Sequence, residues 1–143
     1  MFAGPLAILW PAFALVALTL IVWLRMYHVR IREMRRLGID PQSVATSAQA
    51  AGRFVDTRAS DNLRNLFELP VLFYAGVLVA HATAATNAAL LVVAWSFVAL
   101  RVAHSFVHCG YNRVMHRFIV HVAGGVALWS MWGMLGFALV RAS

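Results

Sequence analysis

Residues Asp61–Phe73 read DNLRNLFELPVLF, and the interpretation of this stretch decides the fold. Four polar side chains, Asp61, Arg64, Asn65 and Glu68, are followed at once by a long apolar run. At ~100° per residue, offsets of 0, 3, 4 and 7 place them on one stripe of a helix. The run that follows is long enough for lipid, so the stripe lies at or just inside a membrane boundary. A charge within a bilayer is costly, roughly 2.5–3.5 kcal/mol per Arg or Asp at a helix centre and less near the ends. Charges retained there face a partner helix or a polar cavity.

The rest of the chain agrees with a membrane setting. Of 143 residues, 62% are apolar and 12% charged, which does not describe a soluble globule. Phe2–Leu24, Leu69–Leu100 and Phe118–Val140 are free of Asp, Glu, Lys and Arg. Each exceeds the ~20 residues that cross a bilayer. The middle run is too long for one helix and is broken by the small, polar segment His81–Asn87. The expected architecture is therefore all-α, a single-domain bundle with four spans at about residues 5–27, 66–81, 88–108 and 118–139. Gly4-Pro5 opens the first span, and its helix is expected to continue past the lipid to Gly38. Asp40-Pro41 reads as the start of a short helix, with Asp as cap and Pro at the first position.

A net charge of +7 raises the question of nucleic acid, but its distribution answers it. The basic residues are all arginine. Arg25, Arg30, Arg32, Arg35, Arg36, Arg53, Arg58 and Arg64 lie in or beside the first connection, and Arg113 and Arg117 flank the third. The second connection has no charge. This is the positive-inside pattern, with both basic loops cytoplasmic and both termini outside. It calls for membrane lipids and anionic solutes as partners, with no nucleic acid. Cys109 is the only cysteine and forms no internal disulfide. The N-terminal run lacks a basic leader and reads as a retained span.

A second stripe lies in the third span. Arg101, His104, His108 and Tyr111 fall at offsets 0, 3, 7 and 10, on one helical face, and His121 lies one turn into the fourth span. Two polar stripes on neighbouring helices are best satisfied by facing each other. One reading is a buried ion-pair network in which Glu68 neutralises Arg101 or Arg64. However, Arg64, Arg101, Arg113 and Arg117 outnumber Asp61 and Glu68, leaving such a network two negative charges short. An anionic ligand would supply them. His104 and His108 are also spaced to hold a metal or haem, but Arg101 one turn away opposes a cation, so no metal site is expected.

Taken together, the two stripes resemble those of the MAPEG family, membrane-associated proteins in eicosanoid and glutathione metabolism. Its members include microsomal glutathione transferases, prostaglandin E synthase and the leukotriene-forming synthase. The resemblance rests on Arg64-Asn65-Leu-Phe-Glu68 with Pro70 behind it, and on Arg101-Val-Ala-His104 followed by Arg113 and Arg117. It implies a homotrimer with glutathione bound between subunits at the cytoplasmic side. Arg30, Arg64, Asn65, Glu68, His104 and Arg113 match positions that hold the peptide, with His108 beside them. Arg117 matches the arginine that activates the thiol, and Arg101 would order that arginine or the ligand. The Lys-free, Ala- and Arg-rich composition points to a bacterial member, in the inner membrane.

The chemistry fits the residues independently. Glutathione presents two carboxylates for arginine forks and one ammonium for Glu68. Bringing a thiol pKa from ~8.5 to about 6.5 takes about 2.7 kcal/mol. One charge-assisted hydrogen bond contributes roughly 1.5–3 kcal/mol, so a single arginine suffices. The sequence departs from the eicosanoid enzymes at His108 and His121, where they carry tyrosines, and at Asp61, where an arginine often stands. Tyr111 is a candidate to replace the lost phenol. The expected function is a glutathione-dependent transferase or peroxidase acting on apolar electrophiles or lipid hydroperoxides. The alternative is a non-catalytic membrane subunit for assembly or lipid binding, with a membrane-protein partner.

Overall fold

The computed structural model describes residue 4 and residues 6–142, the side chain of Ala142 excepted. Pro5, where the first span was expected to begin, lies outside the described residues. Six α-helices and one 3-10 turn follow in order, with no strand among the described residues. Helix α1 is Leu9–Leu37, the 3-10 turn Pro41–Val44, α2 Ser47–Ala50, α3 Arg58–Asn65, α4 Leu69–Ala82, α5 Ala88–Cys109 and α6 Val114–Ala142. Four segments are long and apolar enough to cross a membrane: Leu9–Leu37, Arg58–Ala82, Ala88–Cys109 and Val114–Arg141.

Local chemistry sets the ends. Gly38 stops α1 in the left-handed region, at φ 62°, where its N–H donates to the Met34 carbonyl. Asp40 caps the turn that begins at Pro41, which is 3-10 rather than α. Thr46 and Gln49 form a capping box around α2. The Asn87 side chain accepts from Leu90 N–H at 2.9 Å and starts α5.

The second crossing is not one continuous helix. α3 ends at Asn65 and α4 begins at Leu69, with Glu68 at φ −94° and ψ −102° between them. Pro70 accounts for the break. It has no N–H to donate to the Leu66 carbonyl, and its ring clashes with that carbonyl in a regular helix. The stripe expected across Asp61–Glu68 is therefore interrupted, and Glu68 does not share a helical face with Asp61, Arg64 and Asn65.

The bundle packs most extensively between α5 and α6. α1 rests on α3, α4 and α5, and α4 on α6. Its core takes Leu15 and Val22 from α1, Phe73 and Val77 from α4, Phe97 and Ala94 from α5, and Leu128, Met131 and Leu135 from α6. Phe73 stacks on Phe97, with centroids 4.6 Å apart. Large apolar side chains such as Phe13, Ile21, Leu78, Val92 and Trp129 remain exposed, as expected of helices that contact lipid. The two basic connections meet. Arg25 Nη2 donates to the Cys109 carbonyl at 2.8 Å, and Arg58 Nη1 to the Gly110 carbonyl at 2.6 Å.

Candidate functional site

The site lies where α3, the end of α5 and the start of α6 converge. A cleft of about 220 Å³ is lined by Asn65, His104, Val114, Arg117, Phe118 and His121. Arg117 is anchored by one nitrogen. Its Nη1 donates to Asn112 Oδ1 at 2.8 Å and to His108 Nε2 at 3.0 Å. A guanidinium has five N–H donors, and the Nε and Nη2 groups remain for the cleft. Asn112 holds its side chain there from a left-handed backbone, at φ 51°, which asparagine tolerates better than most residues.

The proton positions follow from which partners can only donate or only accept. The Arg117 carbonyl can only accept, and His104 Nδ1 lies 3.3 Å from it, so His104 carries its proton on Nδ1. His104 Nε2 is then an acceptor, 3.4 Å from the Asn65 amide nitrogen. Arg117 Nη1 can only donate, so His108 accepts at Nε2 and carries its proton on Nδ1. That Nδ1 also lies 3.4 Å from the Asn65 amide nitrogen, and two N–H groups confront each other. Turning the Asn65 amide over moves the mismatch to His104 rather than removing it. With the amide as placed, the cluster has more donors than acceptors.

Arg101 adds to the surplus. It is 1% exposed, and its Nε and Nη1 have no hydrogen-bond partner among the described residues. Nη2 reaches the His121 carbonyl at 3.3 Å, and the guanidinium lies 5.1 Å from the Phe97 ring centroid. It packs directly on α6 at Gly124, where a Cβ would fall 2.7 Å from Nη2. No ion pair joins it to Glu68, which is exposed. The neutralising contact expected between them is absent among the described residues, because the break before α4 takes Glu68 out of the α3 helix.

Of the residues singled out in the sequence, the structure brings together Asn65, His104, His108 and Arg117, with Arg101 behind them. Arg64 and Arg113 are exposed. Arg64 Nη1 lies 3.9 Å from Asp61 Oδ1, so the unusual acid is screened by its neighbour. Arg30 stacks on Phe54 at 4.9 Å and lines a separate cavity of about 20 Å³. Tyr111 lies beyond the end of α5 and meets His116 Nδ1 at 2.9 Å, so the phenol does not extend the α5 stripe.

Sequence reasoning passed over Asn112, whose place in a Gly-Tyr-Asn turn before Arg113 was the available signal. It also passed over a second polar cluster beside the site. Asp56 holds Arg58 through two bonds of 2.8 Å, to Nε and Nη2. The bound guanidinium keeps the Asp56 carboxyl below its ordinary range. Glu33, 8% exposed, accepts the backbone N–H groups of Val55 and Asp56. The buried Asn62 meets Ser105 and Cys109 on α5.

Comparison with known families settles the lineage of this arrangement. A model of the MAPEG family matches residues 8–137, nearly the whole chain. The chain belongs to the MAPEG family. The match covers the first three crossing segments whole and the fourth as far as residue 137, and it contains every residue of the cleft. No curated protein and no solved structure matches the chain. Family membership and four apolar helices make this MAPEG protein an integral membrane bundle in contact with lipid.

Proposed function

We propose that this MAPEG protein is a glutathione-dependent transferase or peroxidase acting on apolar electrophiles or lipid hydroperoxides. It would work as a homotrimer with its basic end in the cytoplasm. The observation that carries this reading is Arg117, fixed through Nη1 by His108 and Asn112 with the rest of its fork left for a cleft rich in donors. Bound there, glutathione supplies a thiol whose ionised form is a nucleophile.

The donor set fits that ligand. Arg117 would hold the sulfur through its uncommitted N–H groups. The Asn65 amide and His108 Nδ1 would both donate to an acceptor atom placed between them, which relieves their confrontation. Arg113, which is exposed, and Arg64, exposed beside Asp61, would grip carboxylates, and Glu68 would receive an ammonium. At about 220 Å³ the cleft is smaller than the ~300 Å³ at which sites for drug-sized ligands begin. In the proposed trimer, a neighbouring copy closing over it would complete the enclosure.

The same donors suit the phosphate of a lipid headgroup, and a non-catalytic lipid-binding subunit is the second reading. A glutathione titration of wild type and Arg117→Ala, followed by thiolate absorbance in the ultraviolet, separates the two. Saturable thiolate in wild type alone is the expected result. No binding by an intact oligomer that carries phospholipid would overturn the glutathione reading in favour of the second.

A further inference from the structure

Ionising a thiol beside Arg117 leaves a proton to be placed. Arg117 cannot take it, because a guanidinium stays protonated and has no acceptor. The inference below rests on the glutathione reading and asks which group in the cleft has a lone pair to offer.

Two of the three nearby imidazoles are committed. His104 donates from Nδ1 to the Arg117 carbonyl and turns Nε2 to Asn65. His108 gives its Nε2 lone pair to Arg117 Nη1. His121 differs. It lines the cleft, its ring makes no hydrogen bond among the described residues, and its centroid lies 5.5 Å from that of the His104 ring. It follows Arg117 by four residues on α6, which puts the two side chains on one face with Cβ atoms ~5–6 Å apart. Its backbone is held in place by Arg101, whose Nη2 binds the His121 carbonyl, and this approach requires glycine at 124.

We propose that His121 is the general base that takes the thiol proton. One ring nitrogen of His121 forms an N–H bond as the S–H bond breaks, and the electron pair stays on sulfur, facing Arg117. The imidazolium later gives the proton to solvent. A neutral imidazole keeps one ring nitrogen with a free lone pair, and that nitrogen is ready to accept. The transfer adds no net charge to the cleft, an advantage where water is scarce. Arg117 and His121 then divide the work: the first stabilises the anion and the second removes the proton.

The test uses full-length protein in detergent and three variants, His121→Gln, His121→Ala and His121→Phe. Glutathione affinity is measured at equilibrium, and thiolate formation is followed by stopped-flow absorbance with and without added imidazole. All variants are expected to bind glutathione, and all to form thiolate more slowly, by about 10²-fold. Imidazole should restore the rate of His121→Ala, which leaves room for it, and not that of His121→Phe. A His121→Gln protein that forms thiolate as fast as wild type overturns the proposal while leaving the glutathione site standing. Slow variants indifferent to imidazole assign His121 a structural role and overturn it likewise. Absence of glutathione binding by wild type removes both the reading and the inference.

Discussion

Two polar clusters share the end of α5 and differ in one respect. In the first, strong donors and acceptors are matched inside the protein. Arg58 is gripped by both Asp56 oxygens and reaches the Gly110 carbonyl, Arg25 binds the Cys109 carbonyl, and Glu33 receives two backbone N–H groups. In the second, donors exceed acceptors: Arg101 has two orphaned nitrogens, Arg117 has a half-used fork, and Asn65 faces two imidazoles it cannot both satisfy. A buried polar group without a partner is expensive, whereas a matched set is not. The matched cluster thus reads as a clamp that joins the first basic connection to the α5–α6 turn. The unmatched one reads as a place prepared for something else.

That contrast can be broken from either side. The largest effect is expected at Arg117. Arg117→Ala should lower glutathione-dependent turnover by about 10²–10³-fold, the cost of removing one preorganised donor from a developing anion. The oligomer and its melting temperature should stay near wild type, and turnover that survives the change removes Arg117 from the chemistry.

Arg101→Met tests whether the orphaned guanidinium supports the fold. Replacing a poorly matched buried charge by an apolar side chain of similar length is often neutral or stabilising, by about 1–4 kcal/mol. Thermal melts of ligand-free protein should therefore be unchanged or raised while glutathione affinity falls. A marked drop in melting temperature would place Arg101 with the structural clamp instead. Glu33→Ala should behave in the opposite way. It removes the acceptor of two part-buried N–H groups, a loss of about 0.5–1.5 kcal/mol each, so stability should fall with glutathione affinity kept.

The smallest effect belongs to Asp56. Its ion pair with Arg58 is partly exposed, which limits its contribution to about 1 kcal/mol or less. Because folding lowers this carboxyl, the contribution is present above the unfolded value of ~3.9 and is lost as pH falls through the folded value. Asp56→Asn should melt slightly below wild type at pH near ~7, and the difference should close in strong acid, below ~4. A difference that persists unchanged in acid would mean that charge is not what the clamp uses.

The sequence predicted four crossings and a polar stripe on α5, and it placed Asn65, His104, His108 and Arg117 among the candidates that the structure gathers. The single stripe from Asp61 to Glu68 does not survive, because a helical period of 3.6 does not continue through Leu66–Glu68. Pro70 was visible four residues after Leu66, and the consequence for the Leu66 carbonyl could have been read from it. Arg30, grouped in the sequence with the ligand-holding residues, stacks on Phe54 of the first connection and lines a cavity of its own. No local pattern links residues so placed.

The sequence by itself determined what depends on one segment at a time. The number of crossings and lipid contact follow from run length against bilayer thickness, and the stop at Gly38 follows from the conformational freedom of glycine. Only the tertiary structure decided which polar groups are matched and which are left over. That outcome depends on the rotation of α5 against α6 about Gly124, on the break at Pro70 and on the left-handed turn at Asn112. Hydrogen bonds act over ~3 Å, and the orientation of two packed helices to that precision is a property of the packed whole.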